Sequence, residues 1–81
     1  GDIRAQTTET LARIGRTLKA SGFEWKDVVD TTVFLTDAKE FAGMNEAYRA
    51  GVPTPFPARA TVETGLVVPD GMIEIMVTAR K

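Results

Sequence analysis

Neither cysteine nor histidine occurs anywhere in the 81 residues. Without cysteine there are no disulfides to staple a small fold and no thiolate metal ligands. That composition fits a reducing compartment, so a cytoplasmic protein is expected. Without histidine, serine–histidine nucleophile systems, histidine zinc sites and histidine acid–base ribonuclease chemistry are excluded. Any catalysis has to come from carboxylates, arginine, hydroxyls, backbone groups and water, and neither a metal nor an organic cofactor is expected. Excess charge of one sign is lacking too. Ten Lys and Arg stand against eleven Asp and Glu, for a net charge of −1. Nucleic acid and anionic membrane both require a basic face, so neither is an expected partner. No apolar run approaches membrane-spanning length, and no charged-then-apolar stretch of the signal-peptide kind is present. The glycines form no phosphate-cradling pattern. A chain this short hides only about 60% of its unfolded surface on folding. Partner subunits are therefore the expected source of further buried surface.

The patterns that are present divide the chain into five elements. Asp2 to Ala20 reads as a helix with Ile3, Leu11, Ile14 and Leu18 on one stripe. Asp2 suits its N-cap and Gly22 the left-handed turn beyond its end. Gly15, unfavourable in a helix by about 1 kcal/mol relative to Ala, points to a close approach there. Val28 to Thr36, rich in β-branched and aromatic residues, reads as a strand. Asp37 to Glu40 has the capping-box pattern for a second helix, with Phe41, Met44 and Tyr48 on one face and an end near Gly51. Val52 to Pro57 carries three prolines and reads as a linker. Strand-like Ala58 to Val68, a turn around Pro69-Asp70-Gly71 and a strand from Met72 to Arg80 follow. The order α-β-α-β-β predicts an α+β fold with two helices packed on one face of a small sheet, and the last two strands read locally as a hairpin.

Strand alternation assigns the two sheet faces. Ile73, Ile75, Val77 and Ala79 point toward the helices, as do Val29, Thr31, Val33 and Leu35. Met72, Met76 and Phe34 fall on the opposite face with Glu74. Three large apolar groups on the outer face of so short a chain predict a subunit interface, although scattered exposed hydrophobes are common. Arg59 opens the fourth element. It is either a solvated strand-end cation, one paired with Glu63, or one aimed at a ligand. Trp25 fits a hydrophobic staple or an interface anchor equally.

Five segments in order, DIRAQTTETLARIGRTLKASG, WKDVVDTTVFLTD, FAGMNEAY, FPARATVE and MIEIMVTA, make the chain resemble the RidA/YjgF family of enamine/imine deaminases. They span essentially the whole sequence. The resemblance implies a chorismate-mutase-like α+β subunit, assembled as a homotrimer with ligand clefts between subunits. It also implies that the last strand lies inside the sheet rather than in a hairpin. Family members begin with strands that precede the first helix, so residues 1–81 correspond to one domain comprising the C-terminal two-thirds of the family fold. A fragment is implied, or a trimer of two-chain units in which a separate N-terminal polypeptide supplies those strands.

The same resemblance assigns candidate site residues. Arg59 matches the arginine that holds the substrate carboxylate, a role suited to a planar two-pronged donor. Glu74 matches the glutamate that positions and activates water; flanked by Ile73 and Ile75, it is expected to be partly buried, which would raise its pKa. By strand parity, Arg59 and Glu74 are expected on one sheet face, opposite the helix-packed isoleucines. Thr61 stands where relatives carry a cysteine, leaving its backbone to serve the ligand, and Asn45 matches a cleft residue. Tyr48 and Phe56 read as packing residues. The implied function is hydrolysis of small 2-imino or 2-enamino acids to 2-keto acids and ammonia. The alternative is a non-catalytic subunit that binds a carboxylate metabolite. Ribonuclease or translation-inhibitor activity, a name attached to parts of the family, fits least, given the charge balance and the absent histidine.

Overall fold

The computed structural model describes residues 2–65 and 71–81. Helix α1 spans Ile3–Ala20 and strand β1 Val28–Leu35. Helix α2 spans Phe41–Gly51, with β2 at Ala58–Glu63 and β3 at Ile73–Ala79. The predicted turn at residues 69–71 and the end of the predicted strand at residues 66–68 fall largely outside the described residues.

The helix boundaries follow local chemistry. Asp2 accepts from the Arg4 N–H and caps α1, while Gly22 adopts a φ of 85° just past its C-terminus. Ile3, Thr7 and Leu11 form the buried stripe at i, i+4, i+8, with Leu18 two turns further on. A Cβ at Gly15 would lie 3.3 Å from Trp25 Nε1, so the absent side chain admits the indole. Trp25 packs against the edge of the core. Asp37 caps a 3-10 turn, Ala38–Glu40, rather than α2 itself, and α2 begins directly behind that turn. Met44 and Tyr48 are buried as expected, but Phe41 stays exposed at the helix start.

The strands form one mixed sheet in the order β2-β1-β3. β2 lies parallel to β1, a pairing that needs the long crossover through α2. β3 runs antiparallel to β1 on the other side. The locally plausible β2–β3 hairpin is therefore not formed. β1 supplies Val28, Val33 and Leu35 to the core and takes the centre, where both of its edges are paired. Among the described residues, the outer edge of β3 carries no strand. Val29 departs from its assigned face. The β1–β3 register shifts between Val28 and Asp30, and this bulge turns Val29 outward to solvent. Met72 likewise packs against the helix-side core, not on the outer face.

The core lies between the sheet and both helices, with Val33, Leu35 and Met44 almost fully enclosed. Burying each such side chain contributes about 1.5–3 kcal/mol. The helices themselves touch closely at Gly43, where an added Cβ would fall 2.7 Å from Ile3 Cγ2. Ile3 is β-branched and held to one preferred χ1 rotamer in a helix, so Cγ2 moves aside only at a cost. Helix propensity favours alanine over glycine by about 1 kcal/mol, but overpacking costs about 1–3 kcal/mol. Gly43→Ala should therefore lower the thermal midpoint, by about 4–8 °C for each net kcal/mol lost. An unchanged or raised midpoint in a melting scan would show that the interhelical contact is looser than its geometry.

Candidate functional site

Arg59 enters β2 in register with Thr31 of β1, so the two residues share a sheet face. That face is the one under the helices, because Thr31 is only 2% exposed and its hydroxyl lies 2.8 Å from the Tyr48 hydroxyl of α2. The expected placement of Arg59 on the outer face is therefore incorrect. Parity counted along β2 alone could not reveal which face the parallel pairing would select. The guanidinium carbon sits 4.7 Å from the centre of the Tyr48 ring and 5.7 Å from that of Phe41. Each such cation–ring contact is worth about 0.5–1 kcal/mol where solvent is near. Arg59 forms no ion pair among the described residues. Glu63, the acid nearest in sequence, instead accepts from the Ala38 N–H at 2.8 Å.

Beside this guanidinium lies a cavity of about 250 Å³ lined by Asn45, Tyr48, Arg49, Phe56, Pro57 and Arg59. Its size suits a small metabolite, lying below the roughly 300–1,000 Å³ of drug-sized pockets. The Asn45 side-chain oxygen is buried and, among the described residues, has no hydrogen-bond partner. A buried acceptor left unpaired costs about 1–3 kcal/mol, so a donor brought by a ligand would relieve it. Arg49 lies 5.5 Å over the Phe56 ring. Tyr48 and Phe56, read from sequence as packing residues, thus also wall the cavity. Phe41, expected on the buried face of α2, instead stands exposed as a platform for Arg59, and Arg49 carries no signal of its own in the sequence. The signal was a helical stripe: Phe41, Asn45, Tyr48 and Arg49 recur at i, i+4, i+7, i+8 along the flank of α2.

The sheet brings Arg59 and Asn45 together and keeps Glu74 apart. Glu74 pairs with Phe34 on the outer face, is exposed to solvent rather than partly buried, and lies on the far side of β1. Two interstrand steps and three residues of rise separate it from Arg59, roughly 10 Å in each direction. Glu74 lines a different cavity, of about 740 Å³, along the open side of β3 beside Gln6, Glu9, Arg13 and Ile14. Thr61 pairs with Val33 on the helix-side face but is exposed and does not line the Arg59 cavity. The outer face carries Val62, 43% exposed and opposite Phe34, and Met76, 59% exposed and opposite Thr32. Among the described residues no group of three or more acids is gathered to hold a metal ion. No helix among them is long and apolar enough to cross a membrane.

Two helices over one face of a mixed three-stranded sheet, with a small cavity lined by Arg49 and Arg59, define an α+β fold. The chain belongs to the RidA/YjgF family, and the family model described as Endoribonuclease L-PSP matches residues 1–81. A RutC family protein of Pyrococcus horikoshii is 41% identical over 81 residues, which are all of this chain and 64% of that one. The chain thus spans somewhat less than two thirds of that relative. A YjgF family member from Neisseria meningitidis superposes with a TM-score of 0.92 at 38% identity, covering 100% of this chain and 70% of the other. RidA from the Antarctic bacterium Psychrobacter sp. PAMC 21119 superposes with a TM-score of 0.82 at 36% identity, covering 91% and 60%. The α+β architecture and the strand order agree with these relatives' fold.

Proposed function

We propose that this chain acts in hydrolytic deamination of small 2-imino and 2-enamino acids, giving 2-keto acids and ammonia in the cytoplasm. The observation that carries this reading is the Arg59 guanidinium, held over two rings at a small cavity with no carboxylate of its own. Arg59 holds the substrate carboxylate through a two-pronged contact. The Asn45 oxygen, buried and unpaired, accepts from the substrate N–H, which an imine has and a keto acid lacks. Water adds across the C=N bond, the C–N bond then breaks, and ammonia leaves. Glu74 holds that water and takes its proton.

Within one chain Glu74 is too far from Arg59 to meet the same substrate, so the partner subunit's Glu74 completes the cavity. The apolar outer face formed by Phe34, Val62 and Met76 supports this, since exposed patches of that kind mark subunit contacts. The assembly is a homotrimer. The open edge of β3 would take further strands, from the same polypeptide or from a separate one. Positioning plus modest acid–base help is enough, because such imines also decay unaided.

The test is the decay of freshly generated 2-aminoacrylate with and without the protein. A faster decay is expected. An unchanged rate, with 2-keto acid binding retained in calorimetry, would instead assign a non-catalytic carboxylate-binding role.

A further inference from the structure

The cavity beside Arg59 holds a second guanidinium that the proposed reaction does not use. Arg49 lines the same walls and stacks over Phe56. Among the described residues none of the six that line the cavity is acidic, so they present two cations and no anion. The acids close by in the chain are engaged elsewhere. Glu46 of α2 accepts from Arg4 Nη2 at 3.2 Å, and Glu63 accepts from the Ala38 backbone. Two like charges sharing one small site repel each other, and an anion between them relieves that repulsion. A single carboxylate saturates one planar fork. The second arginine then remains unmatched.

We propose that the cavity selects a dianionic substrate, a four- or five-carbon 2-imino dicarboxylic acid. Arg59 takes the carboxylate next to the reacting carbon and Arg49 takes the distal one. Phe56 and Pro57 cover the methylene groups between the two carboxylates. This deepens the proposed function and rests on Arg59 being the carboxylate anchor. Electrostatic focusing in a cavity of one sign also raises the local concentration of dianions, an effect that weakens with salt.

Calorimetric titration with 2-oxoglutarate and with 2-oxobutyrate tests the assignment on the full chain. The dicarboxylate should bind about tenfold to a hundredfold more tightly, the range for one further charge-assisted contact. Arg49→Gln should bring the ratio of the two affinities close to one, and Arg49→Lys should keep only part of the preference. Circular dichroism of both variants should match the parent, since Arg49 is exposed on α2. Equal affinity for the two acids in the parent protein would overturn the dicarboxylate assignment while leaving the anchor role of Arg59 intact. So would an equal loss for both acids in Arg49→Gln. If neither acid binds, the anchor role fails and this inference fails with it.

Discussion

Replacing Arg59 with alanine should lower kcat/KM for 2-aminoacrylate by at least about tenfold to a hundredfold, the worth of a charge-assisted contact of about 1.5–3 kcal/mol. The fold should survive, because among the described residues the side chain's specific contacts are those with the Tyr48 and Phe41 rings. Those are worth about 0.5–1 kcal/mol each, which corresponds to a thermal shift of several degrees at most for each. A large loss of activity in protein whose circular dichroism at the assay temperature still matches the parent separates an anchor from a packing residue. Arg59→Lys should recover little. The ammonium is a point charge that cannot pair both carboxylate oxygens, and it stacks poorly on the two rings that aim the guanidinium. Activity retained in Arg59→Ala would leave the cavity without its carboxylate anchor.

Much of the architecture was legible in the sequence because local chemistry and tertiary packing agree. The Asp2 cap, Gly22 beyond the helix end and the Ile3–Leu11–Leu18 stripe are short-range signals that packing did not override. What escaped was non-local. Nothing in the order of the last two strands reveals that β1 comes between them, since the competing hairpin satisfies the same alternation. The bulge at Val29 is invisible to parity counting, which assumes an unbroken ladder. Arg59 illustrates the same limit at the site. Its identity and its PAR context marked it as a ligand residue, yet its face depended on pairing with Thr31, a residue far away in sequence. Arg49 and Asn45 lie one helical turn apart and were readable as one flank of α2. That polar flank lies directly beside the buried stripe at Met44 and Tyr48, whose apolar periodicity is the stronger signal.

The separation of Arg59 from Glu74 leads to the sharpest expected result. Arg59→Ala and Glu74→Gln, each prepared alone, should both be nearly inactive. Unfolded together in equal amounts and refolded, they should regain about one quarter of the parental activity, because in a closed ring each site draws Arg59 from one subunit and Glu74 from the next. An intact site forms wherever a Glu74→Gln chain precedes an Arg59→Ala chain, and random assembly gives that order with odds of a half times a half. The fraction holds for a ring of any size, so the test does not lean on the trimer itself. Mixing without exchange of subunits should restore nothing, which controls for residual activity in either variant. If both residues served a site within one chain, no mixed assembly could contain a complete set, since every chain would lack one of them. The two strands lie on either side of β1 with the side chains on opposite sheet faces, and that separation is the reason for proposing a site shared between subunits.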